Sequence, residues 1–375
     1  MRVLISGGGT GGHINPALAI ADKIKKENSD AVIEYVGTKR GLEATLVPKA
    51  GIKIHFIKVK GFKRSLTLEN FDAALKAVTS VLEAKKIIKN FKPDIVVGTG
   101  GYVCWPVLKA AAKMGIPTVV HESNAFPGVT TRMLSKYVDR VLLGFEESKQ
   151  YLDCDKEKLL RVGSPVSEKM LCANKEKARE KLGFSADEKI VLSAGGSLGA
   201  KPLNDNVYEL IKNYTLPSGI RHIHATGNAG WQEQSERYTS LGFVRKDDDT
   251  LEKGNVTVCR YIYNMHELLA ACDVEICRAG AMTLSELSVL GKAAVIVPSP
   301  YVTNNHQYKN AKVLCDKGAA LMIEEKNLNG EILTETVKKL VENDVMRQSI
   351  ENNVREFAIT DTLDRIYSVI KDLVK

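Results

Sequence analysis

His13 closes the run Gly7-Gly8-Gly9-Thr10-Gly11-Gly12. Five glycines let a backbone turn sharply and approach a ligand closely, and the first amides of a following helix can face an anion or polar hydroxyls. At the start of a helix an imidazole is disfavoured in its charged form. A neutral histidine facing a ligand can act as a general base; the same side chain can equally serve only to hold the loop by a hydrogen bond. Gly7, Gly9 and Gly12 also match a dinucleotide-binding GxGxxG, with Glu34 about 20 residues on. Glu34, however, is followed by Tyr35 and Val36 inside its apolar run, whereas a ribose-binding acid belongs at a strand's end.

Four further segments carry polar chemistry at strand ends. Gly195-Gly196-Ser197-Leu198-Gly199-Ala200 has the form of a phosphate cradle with a hydroxyl donor at Ser197, and it lacks the GK[ST] of a P-loop. Arg278-Ala279-Gly280-Ala281-Met282-Thr283-Leu284-Ser285-Glu286 reads in two ways. Thr283 and Glu286 can form a capping box. Alternatively the backbone at Ala281–Thr283 meets a diphosphate, and Glu286 accepts hydrogen bonds from a vicinal diol. His121-Glu122-Ser123-Asn124 is either a sugar-binding edge or a polar loop. Asn304-Asn305-His306-Gln307, with Asn310, is rich in amides, which both donate to and accept from sugar hydroxyls.

These segments need rigid elements behind them. Arg2–Ser6, Ala31–Val36, Lys53–Val59, Asp94–Gly98, Thr118–His121 and Arg140–Gly144 read as strands, with helices near 16–27, 68–90 and 107–114. The pattern restarts with strands at Lys189–Ala194, His222–Thr226, Val256–Arg260, Val274–Cys277 and Ala294–Val297 and helices near Met265–Ala271 and Thr283–Leu290. Strands alternating with helices imply α/β units with parallel sheets. The expected organisation is an N-terminal Rossmann-like unit over 1–163, a second over 164–345, and C-terminal helices over 346–375, the last packing back on the first unit. Ligands of such sheets sit beyond the strands' carboxyl ends, so the expected site is a cleft between the two units.

A chain of 375 residues, 44% hydrophobic and 26% charged, fits two globular domains. No apolar run approaches the ~18 residues of a spanning helix, and Val3-Leu4-Ile5 is too short for a signal-peptide core. The seven cysteines include no CxxC, which argues against a zinc site or a disulfide framework. Asp247-Asp248-Asp249 reads as a solvated polar loop. The net charge of +8 favours anionic partners. Lys58 to Lys92 carries nine basic and three acidic residues, interleaved with Phe62, Leu66, Leu68, Phe71, Leu75, Val78 and Leu82. That stretch is either a core-facing helix with a basic outer face or a patch for an anionic membrane surface, with Gly61-Phe62-Lys63-Arg64 as its loop. No nucleic-acid motif accompanies the charge.

Taken in order, Gly8–His13, Gly98–Tyr102, His121–Asn124, Gly195–Ala200, Arg278–Glu286 and Asn305–Asn310 resemble the MurG family of glycosyltransferases. The resemblance implies a GT-B fold, two Rossmann-like parallel-sheet domains, with UDP-GlcNAc held mainly by the second. It implies Ile262 and Met265 at the uracil, Glu286 at the ribose, and Ser197, Ala281, Met282 and Thr283 at the diphosphate. Asn124, His306 and Gln307 are then at the GlcNAc hydroxyls. Thr10, Gly11, Gly12, Gly100, Gly101 and Tyr102 form the acceptor's diphosphate loops, and His13 is the base candidate. The implied reaction is transfer of GlcNAc to the muramyl 4-hydroxyl of lipid I with inversion, giving lipid II, without a cofactor or resident metal. The implied setting is peripheral, on the cytoplasmic face of the membrane, among other cell-wall synthesis proteins.

The sequence departs from that family's usual pattern at Ser167, where an arginine is customary, and at Leu198, where a glutamine is. Both changes remove a polar donor contact. Two other readings stand beside transfer: a UDP-GlcNAc 2-epimerase on the same fold, and a non-catalytic nucleotide-sugar binder.

Overall fold

The computed structural model describes residues 1–59, 68–214 and 219–374, the side chains of 68–78 excepted. The Gly61-Phe62-Lys63-Arg64 loop and the side chains of Phe71, Leu75 and Val78 therefore lie outside the described residues. In chain order the elements begin β1 (Arg2–Ser6), α1 (Gly11–Glu27), β2 (Val32–Gly37), α2 (Glu43–Lys49), β3 (Lys53–Phe56), α3 (Leu68–Phe91), β4 (Ile95–Gly98), α4 (Cys104–Lys113), β5 (Thr118–Glu122), α5 (Val129–Leu134), β6 (Arg140–Leu143) and β7 (Leu159–Arg161). They continue with α6 (Glu168–Leu171), α7 (Lys175–Leu182), β8 (Lys189–Ala194), α8 (Lys201–Asn213), β9 (Ile220–Ala225), α9 (Trp231–Ser240), β10 (Val244–Asp247), β11 (Thr250–Lys253) and β12 (Val256–Cys259). The last are α10 (Met265–Ala271), β13 (Val274–Cys277), α11 (Ala281–Leu290), β14 (Ala293–Ile296), α12 (His306–Cys315), β15 (Leu321–Met322), α13 (Gly330–Glu342), α14 (Asp344–Arg355) and α15 (Thr362–Leu373).

Two compact units result: Met1–Val166 with Ile359–Lys375, and Ser167–Ala358. The first holds a sheet in the order β3-β2-β1-β4-β5-β6-β7, parallel throughout. Its central strands β1 and β4 are rich in valine, isoleucine and leucine because both faces are covered. Val3, Ile5, Ile95 and Val97 meet Ile14, Ala17 and Ile20 of α1 and Ile366 and Ile370 of α15 on one face. Leu4, Val96 and Val120 meet Ile88, Val107 and Leu108 on the other. α15 thus covers β-sheet surface beside α1, and Lys23 of α1 pairs with its Asp364 at 2.5 Å.

The second unit orders its strands β10-β11-β12-β9-β8-β13-β14-β15. All pairings are parallel except β10–β11–β12, an antiparallel meander at one edge. The three aspartates read as a loop are the turn of that meander. Asp247 ends β10, its carboxylate accepts from the Asp249 amide at 2.9 Å, and Asp249 pairs with Arg260 at 3.2 Å. α1 starts at Gly11, before the expected Pro16. Pro16 looks like a first-turn proline, yet here it sits within the helix.

Candidate functional site

Among its parallel strands each sheet has one place where the order reverses: between β1 and β4 in the first unit, and between β8 and β13 in the second. Ligands of open parallel sheets bind beyond the strands' carboxyl ends at such points. The glycine-rich segments follow β1 and β4 in one unit and β8 and β13 in the other. Three of the segments singled out by composition, Gly7–Gly12, Gly195–Ala200 and Arg278–Glu286, therefore lie where topology favours a ligand, and so does Gly98–Tyr102; His121–Asn124 at the end of β5 and Asn304–Asn310 after β14 do not.

In the first unit the two loops lie against each other. The Gly8 amide donates to the Gly100 carbonyl at 3.3 Å. Gly101 has φ +82°, and a Cβ there would stand 2.3 Å from the Gly8 carbonyl oxygen. A Cβ on Gly100 would stand 2.5 Å from Nδ1 of His13. Gly100 and Gly101 are thus needed for the loops to touch. His13 lies on the first turn of α1. Its Nδ1 is 3.0 Å from the Thr99 carbonyl, while the Thr99 hydroxyl donates to the His13 carbonyl at 2.7 Å. A carbonyl only accepts, so Nδ1 carries the proton of the neutral ring and Nε2 is the basic nitrogen. One nitrogen thus fastens the loop, as the loop-holding reading of His13 expects. Thr10 is the N-cap residue, with no side-chain cap, and Gly11 and Gly12 supply first-turn amides that have no partner within the helix. Tyr102 is 37% exposed, and its ring lies 3.8 Å from where a Gly9 Cβ would be.

Sequence reasoning passed over the groups underneath. Glu43, at the start of α2, is fully buried, and its carboxylate accepts from the Gly9 amide at 3.0 Å. The buried Tyr35 hydroxyl donates to the Gly7 carbonyl at 2.8 Å. Neither follows from local pattern, because their partners are 34 and 28 positions away. Glu34, the acid of the dinucleotide reading, is paired instead with His55 at 2.5 Å and Lys53 at 2.9 Å, which removes it from any ligand.

His121–Asn124 is mostly scaffold. His121, Glu122 and Ser123 are buried. His121 Nε2 donates to the Gly163 carbonyl at 2.8 Å, and the Ser123 hydroxyl meets Nδ1 at 3.3 Å. Burial lowers the His121 pKa, against the opposing pull of the Gly163 carbonyl and Glu122. Glu122 accepts from the Asn124 amide and side chain at 3.0 and 2.9 Å and from Gly128 and Thr131 at 2.9 and 2.6 Å. The expected edge of four polar residues reduces to Asn124, which is half-buried and held by Glu122.

In the second unit α11 begins at Ala281 with Gly280 as its N-cap, and no side chain caps it. Thr283 is inside the helix, so the capping-box reading fails. The first amides, at Ala281, Met282 and Thr283, lack intrahelical partners and form an anion-favouring end. Behind them Arg278 donates to the Val297 carbonyl at 3.0 Å and pairs with Glu325 at 2.6 Å, and Asn310 donates to the Ala279 carbonyl at 3.2 Å. Glu286 follows on α11, half-buried, and burial pushes its carboxyl up to about 7. Ser197 and Leu198 form an exposed turn. Gly199 (φ +83°) lies so near Thr226 that a Cβ would be 2.0 Å from its carbonyl oxygen. Ile262 is buried and Met265 opens α10, both just after β12. Asn304 and Asn305 adopt left-handed φ of 56° and 51°, a conformation asparagine tolerates; they shape the turn into α12. His306 Nδ1 lies 2.9 Å from the Thr303 carbonyl, and the Gln307 carbonyl accepts from the Ser299 amide at 2.8 Å, leaving its NH2 to donate elsewhere.

Of the two departures, Ser167 has a structural role of its own and Leu198 stands in the open. Ser167 is the N-cap of α6, accepting from the Met170 amide at 3.4 Å. Leu198 is 68% exposed. Lys201, which opens α8 after that turn, pairs with Glu233 and Asp205. Among the described residues no group of three or more His, Cys, Asp or Glu side chains is arranged for a metal ion.

The model of the glycosyltransferase family 28 N-terminal domain matches residues 3–143, and that of its C-terminal domain matches residues 190–366. The chain belongs to glycosyltransferase family 28. This family 28 member is 46% identical over 375 residues to the UDP-N-acetylglucosamine--N-acetylmuramyl-(pentapeptide) pyrophosphoryl-undecaprenol N-acetylglucosamine transferase of Acetivibrio thermocellus, covering 100% of this chain and 99% of that one. It is 43% identical to transferase 1 of the same name from Bacillus cereus, with 100% of each covered. The crystal structure of MurG from Acinetobacter baumannii superposes with a TM-score of 0.77 at 28% identity, covering 99% of both chains. A UDP-GlcNAc 2-epimerase from Neisseria meningitidis reaches 0.66 at 15% identity, covering 99% of this chain and 100% of that one, a likeness of fold alone. The family 28 chain has the GT-B fold, two Rossmann-like parallel-sheet units.

Proposed function

We propose that this chain transfers GlcNAc from UDP-GlcNAc to the muramyl 4-hydroxyl of lipid I, giving lipid II and UDP. The observation that carries the donor half is the uncapped N-terminus of α11 at the strand-order reversal, with Glu286 one turn along it. That arrangement suits a nucleoside diphosphate: amides for phosphate oxygens and a carboxylate for the ribose diol. The names of relatives that match end to end support GlcNAc as the sugar and the lipid-linked muramyl peptide as the acceptor.

In this reading Ile262 and Met265 flank the uracil, and Ser197 with Ala281, Met282 and Thr283 holds the diphosphate. Asn124, His306 and Gln307 meet the sugar. Thr10, Gly11, Gly12, Gly100, Gly101 and Tyr102 surround the acceptor's diphosphate. His13 Nε2 takes the proton of the muramyl hydroxyl as its oxygen attacks the anomeric carbon from the face opposite UDP. The bond from that carbon to the β-phosphate oxygen breaks, and UDP leaves with the charge. The amides at the head of α11 stabilise that charge as it develops, and His13 later returns its proton to solvent.

The lipid acceptor implies a membrane partner. Among the described residues no helix is long and apolar enough to cross a membrane. A groove beside α4 and α5 is lined by Trp105, Val129, Met133 and Tyr137 with Lys109, Arg132 and Lys136. Val129, Met133 and Tyr137 are 49%, 45% and 47% exposed, and Lys109 sits 3.0 Å from the Tyr137 ring centroid. Apolar tips among cations suit an anionic lipid surface. The reading places the chain peripherally on the cytoplasmic face, where other cell-wall synthesis proteins are reachable partners.

Calorimetry of UDP binding to the wild type and Glu286→Ala at pH 8 tests the donor half. Hydrogen bonds to a charged group contribute about 1.5–3 kcal/mol each, so affinity should fall about 10-fold or more. Equal affinity would remove Glu286 from the nucleotide site and overturn the donor half of the reading.

A further inference from the structure

Glu43 is a fully buried carboxylate in the midst of glycines. Its Oε1 accepts from the Thr38 amide at 3.0 Å and the Thr38 hydroxyl at 2.8 Å, and its Oε2 accepts from the Gly9 amide at 3.0 Å. A charge taken out of water is tolerated only when hydrogen bonds of this kind replace the lost solvation. Three glycines make room for it. A Cβ on Gly8 would stand 2.7 Å from Glu43 Oε1, one on Gly37 2.6 Å from its Cγ, and one on Gly41 2.0 Å from its Oε2. Gly37 ends β2 and Gly41 precedes α2, so glycines from two segments, the β1–α1 loop and the β2–α2 connection, converge on one side chain.

This changes what the glycine-rich run means. Gly8 is small to admit an acid from beneath, and the Gly9 amide points at that acid, away from any ligand. The amides left for an anion are those of Gly11 and Gly12, on the same first turn as His13. We propose that Glu43 is a positioning residue: its buried carboxylate sets the Gly7–Gly12 loop from below, and so fixes where His13 and the Gly11 and Gly12 amides point. The proposal rests on the reading above in assigning that loop to the acceptor. Glu43 touches no reacting atom and acts through Gly9.

The test compares wild type, Glu43→Gln and Gly41→Ala. Glutamine keeps the shape but replaces one accepting oxygen by a donor, so the Gly9 and Thr38 bonds cannot all survive. Gly41→Ala retains the acid but displaces it sterically, which serves if Glu43→Gln does not fold. The first readout is hydrogen–deuterium exchange. Peptides spanning residues 7–13 should exchange at least about 10-fold faster in both variants, while peptides spanning 190–194 of the second unit stay unchanged. The second readout is steady-state transfer to a lipid I analogue. The variants should lose about 10- to 100-fold in kcat/KM for the acceptor, since small displacements of positioned groups cost this much. UDP binding should stay within about twofold. Wild-type exchange over residues 7–13 in a folded Glu43→Gln protein would overturn the proposal. So would exchange that rises across the whole chain, or UDP binding that falls in step. Absence of transfer by the wild type would instead count against the proposed function, because the exchange readout judges Glu43 without it.

Discussion

Glu275 lies in the middle of β13 with 3% of its surface exposed. Its neighbours across the sheet are Leu192 and Ala294, and its Oε2 has no hydrogen-bond partner among the described residues. Burial, reinforced by Glu286, pushes its carboxyl from 4.5 up to about 8. The folded chain therefore keeps a proton that the unfolded chain releases above pH 4.5, and folding loses stability as pH rises from there to about 8. Each pH step across that window costs about 1.4 kcal/mol. The penalty is about 1 kcal/mol at pH 5, about 3 at pH 7 and about 5 at pH 9. Glu275→Leu fills the same volume without the acid, so the variant should be more stable by about 3 kcal/mol at pH 7, or about 6–12 °C in Tm for a unit of this size. Denaturant unfolding of both proteins at pH 5, 7 and 9, followed at the second unit's transition, gives the difference directly. Titrating groups that do not interact with Glu275 cancel between the two proteins; Glu286, which does, loses a like-charge neighbour in the variant. A difference that does not change with pH, or a variant less stable at pH 9, would refute the reasoning.

The same unit contains a pair with the opposite sign. Ser193 bridges His222 and His224, 2.8 Å from each. Burial lowers their pKa to about 3 and about 4. They cost nothing above pH 6.5 and penalise folding as pH falls toward 4 for His224 and 3 for His222, by about 2 kcal/mol for each histidine at pH 5; His224→Gln should roughly halve the slope of unfolding free energy between pH 6 and 4. Leu198→Gln restores a polar side chain at the exposed turn after β8. One neutral hydrogen bond contributes about 0.5–1.5 kcal/mol, so UDP-GlcNAc affinity measured by calorimetry should rise about 2- to 10-fold. Replacing both Lys109 and Arg132 by alanine should weaken sedimentation with anionic vesicles by about 30-fold, at about 1 kcal/mol per charge, and leave UDP binding unchanged.

The sequence made the glycine-rich loops legible because they need residue types with few other uses. Glycine runs between an apolar run and a helix mark strand-to-helix turns, and all of those singled out lie at the sheets' reversal points. The paired α/β pattern was legible for a similar reason: strands covered on both faces must be apolar along their length. What stayed hidden depends on contacts between distant segments. Glu43 looks like an ordinary helix-start acid, and only the meeting of Gly8, Gly37 and Gly41 around it reveals its place. His121, Glu122 and Ser123 look available at a strand's end, yet Gly163, Asn124, Gly128 and Thr131 consume their polar atoms. Thr283 and Glu286 have capping-box spacing, but the helix begins two residues earlier, at Ala281. Local spacing alone does not fix where a helix starts.

The central claim is transfer of GlcNAc to a lipid-linked muramyl acceptor. Radiolabelled UDP-GlcNAc and a lipid I analogue should yield one UDP for each labelled disaccharide lipid. His13→Ala should lower that rate by about 10²-fold or more while leaving UDP-GlcNAc binding intact, within the range of a lost general base. UDP-GlcNAc that binds without label reaching the lipid, or that is converted in the absence of any acceptor, would contradict the account.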